Sequence, residues 1–231
     1  MKARYFLPLA AIVLLAGCNK EVAIEEIPQP EVAKTVLEVS IAPSTKTVMD
    51  PNNETDGHKV YWSNGDQIAV NGTASEALSG LSGNEQSASF SFSSVLSTPY
   101  NILYPASIYK DDTHVTLPAV QAYKADGFAD GMFPMAGCSA DGSNLSISHL
   151  CAIVKIQVKR AVGGDEENIA SVRFKGRNGE QVSGEFEINY STPALTPAAG
   201  TGADLEVRVV KSLATSTTDA VVYFLVFTAR E

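Results

Sequence analysis

Polar and apolar residues alternate along most of this chain. The segment TVLEVSIA (35–42) places Leu37, Val39 and Ile41 on one face of an extended strand, and SASFSFSSV (87–95) alternates serine with alanine and phenylalanine. This two-residue period is typical of half-buried β-strands. Further apolar segments follow, most at short intervals and separated by Gly, Asn, Asp, Ser or Pro: YNILYP, HVTLP, LSISHLCAIVKIQVKR, IASVRFKG, SGEFEIN, ADLEVRVV and DAVVYFLVF.

Helical periodicity is weak by comparison. No stretch of twelve or more residues shows a convincing 3.6-residue period with capping residues. Many short strands with turn chemistry between them predict an all-β protein made of sandwiches rather than a βαβ fold.

Two turn signals organise this pattern. The Asn-Gly pair in SNGD (63–66) lies between two apolar segments and predicts a β-hairpin. ADGS (140–143) predicts a second hairpin turn, which places Cys138 opposite a residue near 145 rather than opposite Cys151. A Cys138–Cys151 disulfide stays open, although two buried free thiols are the more ordinary arrangement.

The N-terminus has the pattern of an export signal. Lys2 and Arg4 precede thirteen uncharged residues, a run too short for a bilayer core that needs about 20. The run ends in Leu-Ala-Gly followed by Cys18, which resembles the bacterial lipobox better than a plain secretory signal or a helical anchor. The resemblance implies removal of residues 1–17 and lipid, of the palmitate type, on Cys18.

Residues 18–34 are acidic, contain proline and lack a periodic apolar face, so they are predicted to be a flexible tether. Cleavage before Cys18 leaves 15 basic and 26 acidic residues, a net charge of −11. Such a chain lacks the basic surface that nucleic acid requires, and anionic headgroups repel it. Membrane contact is therefore expected through the lipid alone.

Catalytic and metal-binding motifs are not evident. The three histidines, His58, His114 and His149, have no zinc-ligand spacing, and no GxSxG sequence occurs. DPNNETDG (50–57) lacks the glycine and glutamate that a calcium loop places sixth and twelfth. We expect no cofactor, no metal and no enzymatic activity.

Several short sequence segments, taken in order, resemble those of the fimbrillin-like lipoproteins of Bacteroidales bacteria. In that family a Thr-basic-Thr segment precedes a W-x-x-G-D-x-I strand pair, a Tyr-Pro strand end, an L-P-x-x-Q strand end and an H-L-x-A strand. The matching residues are Thr45, Lys46 and Thr47; Trp62, Gly65, Asp66 and Ile68; Tyr104 and Pro105; Leu117, Pro118 and Gln121; and His149, Leu150 and Ala152. The resemblance spans most of residues 44–227 and includes the lipobox.

The matched residues are suited to fixing a fold. The ring of Trp62 can cap a sandwich core, and Asp66 can accept backbone N–H groups of its turn. Tyr104-Pro105 is expected to end a strand, because proline cannot donate to a ladder. His149 is interpreted as a satisfied core or edge histidine. These residues do not form a catalytic set.

The resemblance implies two consecutive β-sandwich domains, transthyretin-like with Greek-key connections. We place them at 35–143 and 144–231. It also implies a lipid-anchored protein of the outer membrane and cell surface, acting as a structural or adhesive subunit of fimbriae. In that family a protease removes an early strand, and the groove left behind accepts a strand from another subunit.

The implied partners are other fimbrial subunits, together with a host or bacterial surface ligand. The alternative is a lipid-anchored module that binds glycan or protein and never polymerises.

Two features depart from the family pattern. Maturation there typically follows arginine, but none lies between Arg4 and Arg160, so Lys34 and Lys46 are the candidate cleavage sites, with no cleavage as the alternative. The chain also ends soon after an apolar strand, where the family continues with further strands. The C-terminal sandwich is therefore predicted to be incomplete.

Overall fold

The computed structural model describes residues 34–42, 60–124, 127–129, 131–158, 168–198, 204–214 and 220–226. All of them belong to one compact unit, Val32–Glu231. Their regular structure is β-strand apart from one 3₁₀ turn, Ala106–Ile108, which confirms the predicted all-β class. No helix in this part of the chain has the length and apolar character to span a bilayer.

Sixteen strands are described, and most are short. In chain order they are β1 (Thr35–Ile41), β2 (Ala69–Val70), β3 (Thr73–Ala74), β4 (Ser87–Phe92), β5 (Tyr100–Tyr104), β6 (His114–Leu117), β7 (Val120–Lys124), β8 (Gly127–Phe128), β9 (Met135–Ser139), β10 (Ser146–His149), β11 (Ala152–Val158), β12 (Asn168–Lys175), β13 (Gly184–Asn189), β14 (Ala194–Pro197), β15 (Asp204–Ala214) and β16 (Ala220–Val226).

The strands form four sheets. The largest has the order β3-β2-β5-β9-β10-β1-β4, and the others are β12-β15-β7-β8, β14-β13-β6 and the two-stranded ribbon β11-β16. Neighbouring strands are antiparallel except for the pairs β1–β10 and β7–β15. The backbone N–H of Glu76, just after β3, donates to the carbonyl of Ser91 in β4 at 2.8 Å, which brings the two ends of the seven-stranded sheet together.

The alternating sequence pattern decides which side chains fill the first core. In β4 the apolar residues Ala88, Phe90 and Phe92 are buried, while Ser87 and Ser89 are exposed. A strand turns successive side chains to opposite faces, so alternation in the sequence becomes one buried and one solvated face.

The β11–β16 ribbon lies between two hydrophobic cores. Leu225 of β16 belongs to the large core that the seven-stranded sheet helps to form. Val222, Phe224 and Val226 point the other way, into a second core with Leu205 of β15. All five residues from Val222 to Val226 are buried, so both faces of β16 are covered.

Strand pairs cross the predicted domain boundary at residue 143. β10 joins the sheet that contains β1, β6 pairs with β13, and β7 pairs with β15. The two-sandwich division remains a prediction, and these pairs mean that any such domains share hydrogen-bonded strands.

Two local expectations need correction. A turn does occur at Asn64–Gly65, with φ of +94° at Gly65. The hairpin predicted around it does not form, because residues 60–63 are not in a strand. Strand β2 pairs with β3 and β5 instead. The long apolar segment from residue 145 is not one strand, because it breaks between β10 and β11 at Leu150–Cys151. There the Leu150 N–H bonds to the carbonyl of Pro134 at 2.8 Å, and the chain leaves the large sheet.

Replacing Phe224 with alanine tests the burial of β16 on both of its faces. Phe224 is fully buried and its ring lies 6.0 Å from that of Phe174. We expect Phe224→Ala to lower the free energy of unfolding by about 3–5 kcal/mol, measured by urea denaturation. The control Val36→Ala, at a side chain that is 60% exposed, should change it by less than about 0.5 kcal/mol. If both substitutions changed the unfolding free energy by similar amounts, the burial of Phe224 between the strands would be contradicted.

Candidate functional site around the first strand

Strand β1 is held on both edges at its C-terminal end. It pairs along six residues with β4, from Thr35↔Phe92 to Ser40↔Ser87, and its last residues pair in parallel with β10. The N–H of Ser40 donates to the carbonyl of Leu145 at 2.9 Å, and the N–H of Ala42 donates to the carbonyl of Ile147 at 2.8 Å.

β1 also contributes to the large core. Leu37 and Val39 are buried in it, whereas Val36 and Glu38 on the opposite face are exposed. Burial of each apolar side chain contributes about 1.5–3 kcal/mol. Loss of β1 would therefore open an apolar slot between β4 and β10.

The predicted fold-motif residue Trp62 reaches β1 directly. Its indole Nε1–H donates to the carbonyl of Val39 at 3.3 Å, and its ring packs edge-on against Phe90 of β4 with centroids 4.9 Å apart. Trp62 is only 1% exposed and its ring belongs to the large core. The indole N–H thereby finds a partner, as buried tryptophans usually do.

Asp66 ties the Asn-Gly turn to β5. One carboxylate oxygen accepts the backbone N–H of Ser63 at 2.8 Å, as expected of an Asx residue in a turn, and the other accepts the Tyr104 hydroxyl at 2.7 Å. The Tyr104 ring packs edge-on against Trp62, with centroids 5.2 Å apart. The buried carboxylate is thus stabilised by hydrogen bonds from two different segments.

Gly65 and Pro105 shape the backbone beside the cluster formed by Trp62, Asp66 and Tyr104. The positive φ of Gly65 meets little steric resistance because glycine has no side chain. β5 ends at Tyr104, directly before Pro105, as the missing N–H of proline predicts. The motif residues from 62 to 105 therefore converge although they are far apart in the sequence.

His149 lies beside this cluster through an aromatic residue that the sequence analysis did not single out. Its ring stacks on Phe133 with centroids 5.9 Å apart, and Phe133 also stacks on Phe128 at 4.9 Å. Phe133 lies just before β9 and outside the strands, so the two-residue period did not indicate its role.

The cavities near these residues are small. One of about 30 Å³ is lined by Trp62, Asp66 and Tyr104, and one of about 100 Å³ lies between His149–Ala152 and Pro193–Leu195. Ligand pockets typically have about 300–1,000 Å³. In the described part of the chain, no group of three or more His, Cys, Asp or Glu side chains is placed to hold a metal ion.

The remaining predicted site residues are not part of the cluster. Lys34 is exposed and directly precedes β1, whereas Cys18 and Lys46 lie outside the described residues. Cys138 is an exposed free thiol and Cys151 is a buried one, so no disulfide joins them in this structure. Burial raises the pKa of the Cys151 thiol to about 12, which keeps it protonated.

Comparison with protein-family models, with curated proteins and with solved structures finds no match to this chain. The resemblance to fimbrillin-like lipoproteins therefore stays a hypothesis carried by the motif residues.

Removing the Tyr104 hydroxyl tests the Asp66 link. Tyr104→Phe leaves the buried Asp66 carboxylate without one charge-assisted hydrogen bond, so we expect a loss of about 1–3 kcal/mol in unfolding free energy. Tyr100→Phe is the matched control, because the Tyr100 hydroxyl makes only a 3.5 Å contact with the carbonyl of Leu96. Chemical denaturation of both variants measures the difference. Equal losses of unfolding free energy would mean that the hydrogen bond from Tyr104 to Asp66 contributes no more than the weak contact of Tyr100.

Proposed function

We propose that this chain is a lipid-anchored cell-surface protein, a fimbrillin-like structural or adhesive subunit that assembles by β-strand addition. The observation that carries the proposal is the position of β1. It is the first described strand, an exposed lysine precedes it, and it fills a slot between β4 and β10 in the large sheet.

Strand addition requires an acceptor with unsatisfied backbone groups and alternating pockets. Departure of β1 would leave both on this sheet. The backbone groups of β4 that face β1 would lose their partners, and the sites of Leu37 and Val39 would become empty. A donor strand with apolar residues at alternate positions has the chemistry to refill them.

The two candidate cleavage sites have opposite consequences for this slot. A cut after Lys34 removes only residues before β1 and leaves the strand joined to the chain. A cut after Lys46 severs β1 from the rest of the protein, since the strand ends at Ile41. Only the second cut makes β1 exchangeable for a strand of another subunit.

Limited digestion with a lysine-directed protease distinguishes these cuts. The sample is the chain from residue 18 with Cys18→Ser, which contains the whole compact unit. Lys34→Gln should still yield fragment 47–231 and form SDS-resistant ladders on unheated gels, because its β1 can leave. The double variant Lys46→Gln, Lys59→Gln, which lacks both lysines between Ile41 and Lys110, should be cut before β1 and stay monomeric.

Two outcomes would contradict strand addition at this slot. Ladders formed equally by the double variant Lys46→Gln, Lys59→Gln would mean that loss of β1 is not required. Fragment 47–231, identified by mass and free of the β1 peptide but still monomeric, would favour the alternative of a non-polymerising anchored module that binds glycan or protein.

The lipid is tested separately. In protein extracted from the membranes of the native bacterium, mass spectrometry should find an N-terminal peptide that begins at Cys18 and carries acyl chains. The variant Cys18→Ser should lack this mass and leave the membrane fraction, because the acidic surface has no attraction for anionic headgroups. An unmodified Cys18, with the leader still attached, would contradict the anchor.

A further inference from the structure

Three Asn-Gly pairs occur in this chain, at 64–65, 71–72 and 178–179, and each asparagine lies in a turn. The Asn-Gly sequence is chemically reactive, because the backbone nitrogen of the glycine can attack the side-chain amide carbon of the asparagine. Glycine favours this attack since it has no side chain to obstruct the nitrogen. The three pairs are the same dipeptide, so their surroundings in the fold decide which of them reacts.

The first pair is held at both of its reacting groups. The Asn64 side chain makes two hydrogen bonds with the backbone of Leu81, in which Nδ2 donates to the carbonyl at 3.2 Å and Oδ1 accepts the N–H at 2.9 Å. The attacking nitrogen of Gly65 donates to the carbonyl of Leu78 at 2.8 Å. Ring closure would have to break these bonds, so the fold opposes reaction at Asn64.

The second pair is held by its asparagine side chain and by the packing of its glycine. Nδ2 of Asn71 donates to the carbonyls of Ser97 and Pro99 at 3.1 and 2.9 Å. A side-chain carbon on Gly72 would lie 2.6 Å from the hydroxyl oxygen of Tyr109, so the turn packs closely against that ring. This turn therefore has little room to rearrange.

The third pair is held loosely, in the turn between β12 and β13. Residues 177–180 are all exposed. The nitrogen of Gly179 lies 3.4 Å from the carbonyl oxygen of Gly176, which is long for a hydrogen bond, and a side chain on Gly179 would meet no atom within 4 Å. Nδ2 of Asn178 donates to Oε1 of Glu180, an exposed side chain of the same turn, at 2.8 Å. Water thus reaches the attacking nitrogen, and the turn has room to change shape.

We propose that Asn178–Gly179 is a self-modification site, at which Asn178 deamidates without an enzyme while the fold protects Asn64 and Asn71. The nitrogen of Gly179 bonds to Cγ of Asn178, the Cγ–Nδ2 bond breaks, and ammonia leaves with the proton that the nitrogen gave up. Water then opens the succinimide ring at either carbonyl and leaves aspartate or isoaspartate. This modification goes beyond the proposed function, because it requires neither the lipid nor polymerisation.

Deamidation would change the electrostatics of the turn. The backbone N–H of Asn178 donates to Oε2 of Glu180 at 2.7 Å, and this hydrogen bond, with the one from Nδ2, lowers the pKa of the Glu180 carboxyl. The carboxylate is therefore charged near neutral pH. A new carboxylate at position 178 would face it in place of a donor, and two like charges so close repel each other.

Peptide mass spectrometry tests the site in the chain from residue 18 carrying Cys18→Ser. The folded protein is incubated in mildly alkaline buffer and digested at intervals under acidic conditions, and fragment masses assign each conversion of amide to acid. Asn178 should convert at least about tenfold faster than Asn64 or Asn71, because hydrogen bonds must break first at those two sites. In concentrated urea the three should convert at similar rates.

Two results would overturn the proposed site. In the folded protein, Asn178 converting no faster than the other two asparagines would show that its turn is not reactive. The same ranking of the three rates in urea would show that the fold protects neither Asn64 nor Asn71.

Titration of the Glu180 carboxyl by NMR tests the repulsion. Asn178→Asp places the product carboxylate directly and should raise the pKa of Glu180 relative to the parent, since a donor is lost and a like charge is added. Asn178→Ala is the matched control, because it removes the donor without adding a charge and should raise the pKa less. Equal pKa values of Glu180 in the two variants would overturn the repulsion.

Discussion

Burial of strand β16 on both faces is the constraint on which the rest of this structure depends. Leu225 enters the core beneath the seven-stranded sheet, and Val222, Phe224 and Val226 enter the core shared with β15. A strand in this position needs an apolar side chain at every residue, which explains the unbroken run AVVYFLV. It also leaves no solvated face, so the backbone groups at its edges must be satisfied inside the protein.

Two buried polar side chains form hydrogen bonds with groups that have no access to solvent. The amide of Gln121 satisfies Leu225 at the edge of the ribbon, and the carboxylate of Asp66 joins a turn to β5. Trp62 adds a third link, from the same turn to β1. These groups specify which segments meet, since apolar packing alone accepts several arrangements. The strand-addition proposal depends on this background, because a removable strand requires that the remaining sheets keep their positions.

The alternating pattern predicted the buried faces of β1 and β4 correctly, together with the all-β class. The turn at Asn64–Gly65 and the connection between β9 and β10 were also visible in the sequence. The break at Leu150–Cys151 was not, because the apolar run continues through it. Nor did the sequence indicate that β6 pairs with β13 or β7 with β15, since alternation tells which face of a strand is buried and carries no information about its neighbour.

The sequence by itself determined the all-β class and the buried faces of strands such as β1 and β4, and its LAGC motif carries the prediction of a lipid on Cys18. Tertiary structure alone decided that the Trp62 indole meets Val39 and that the Gln121 amide meets Leu225, across 23 and 104 positions of the chain. The physical reason is that turns and alternation act between near neighbours, whereas a buried hydrogen bond needs a partner that only the packing of distant sheets brings within about 3 Å.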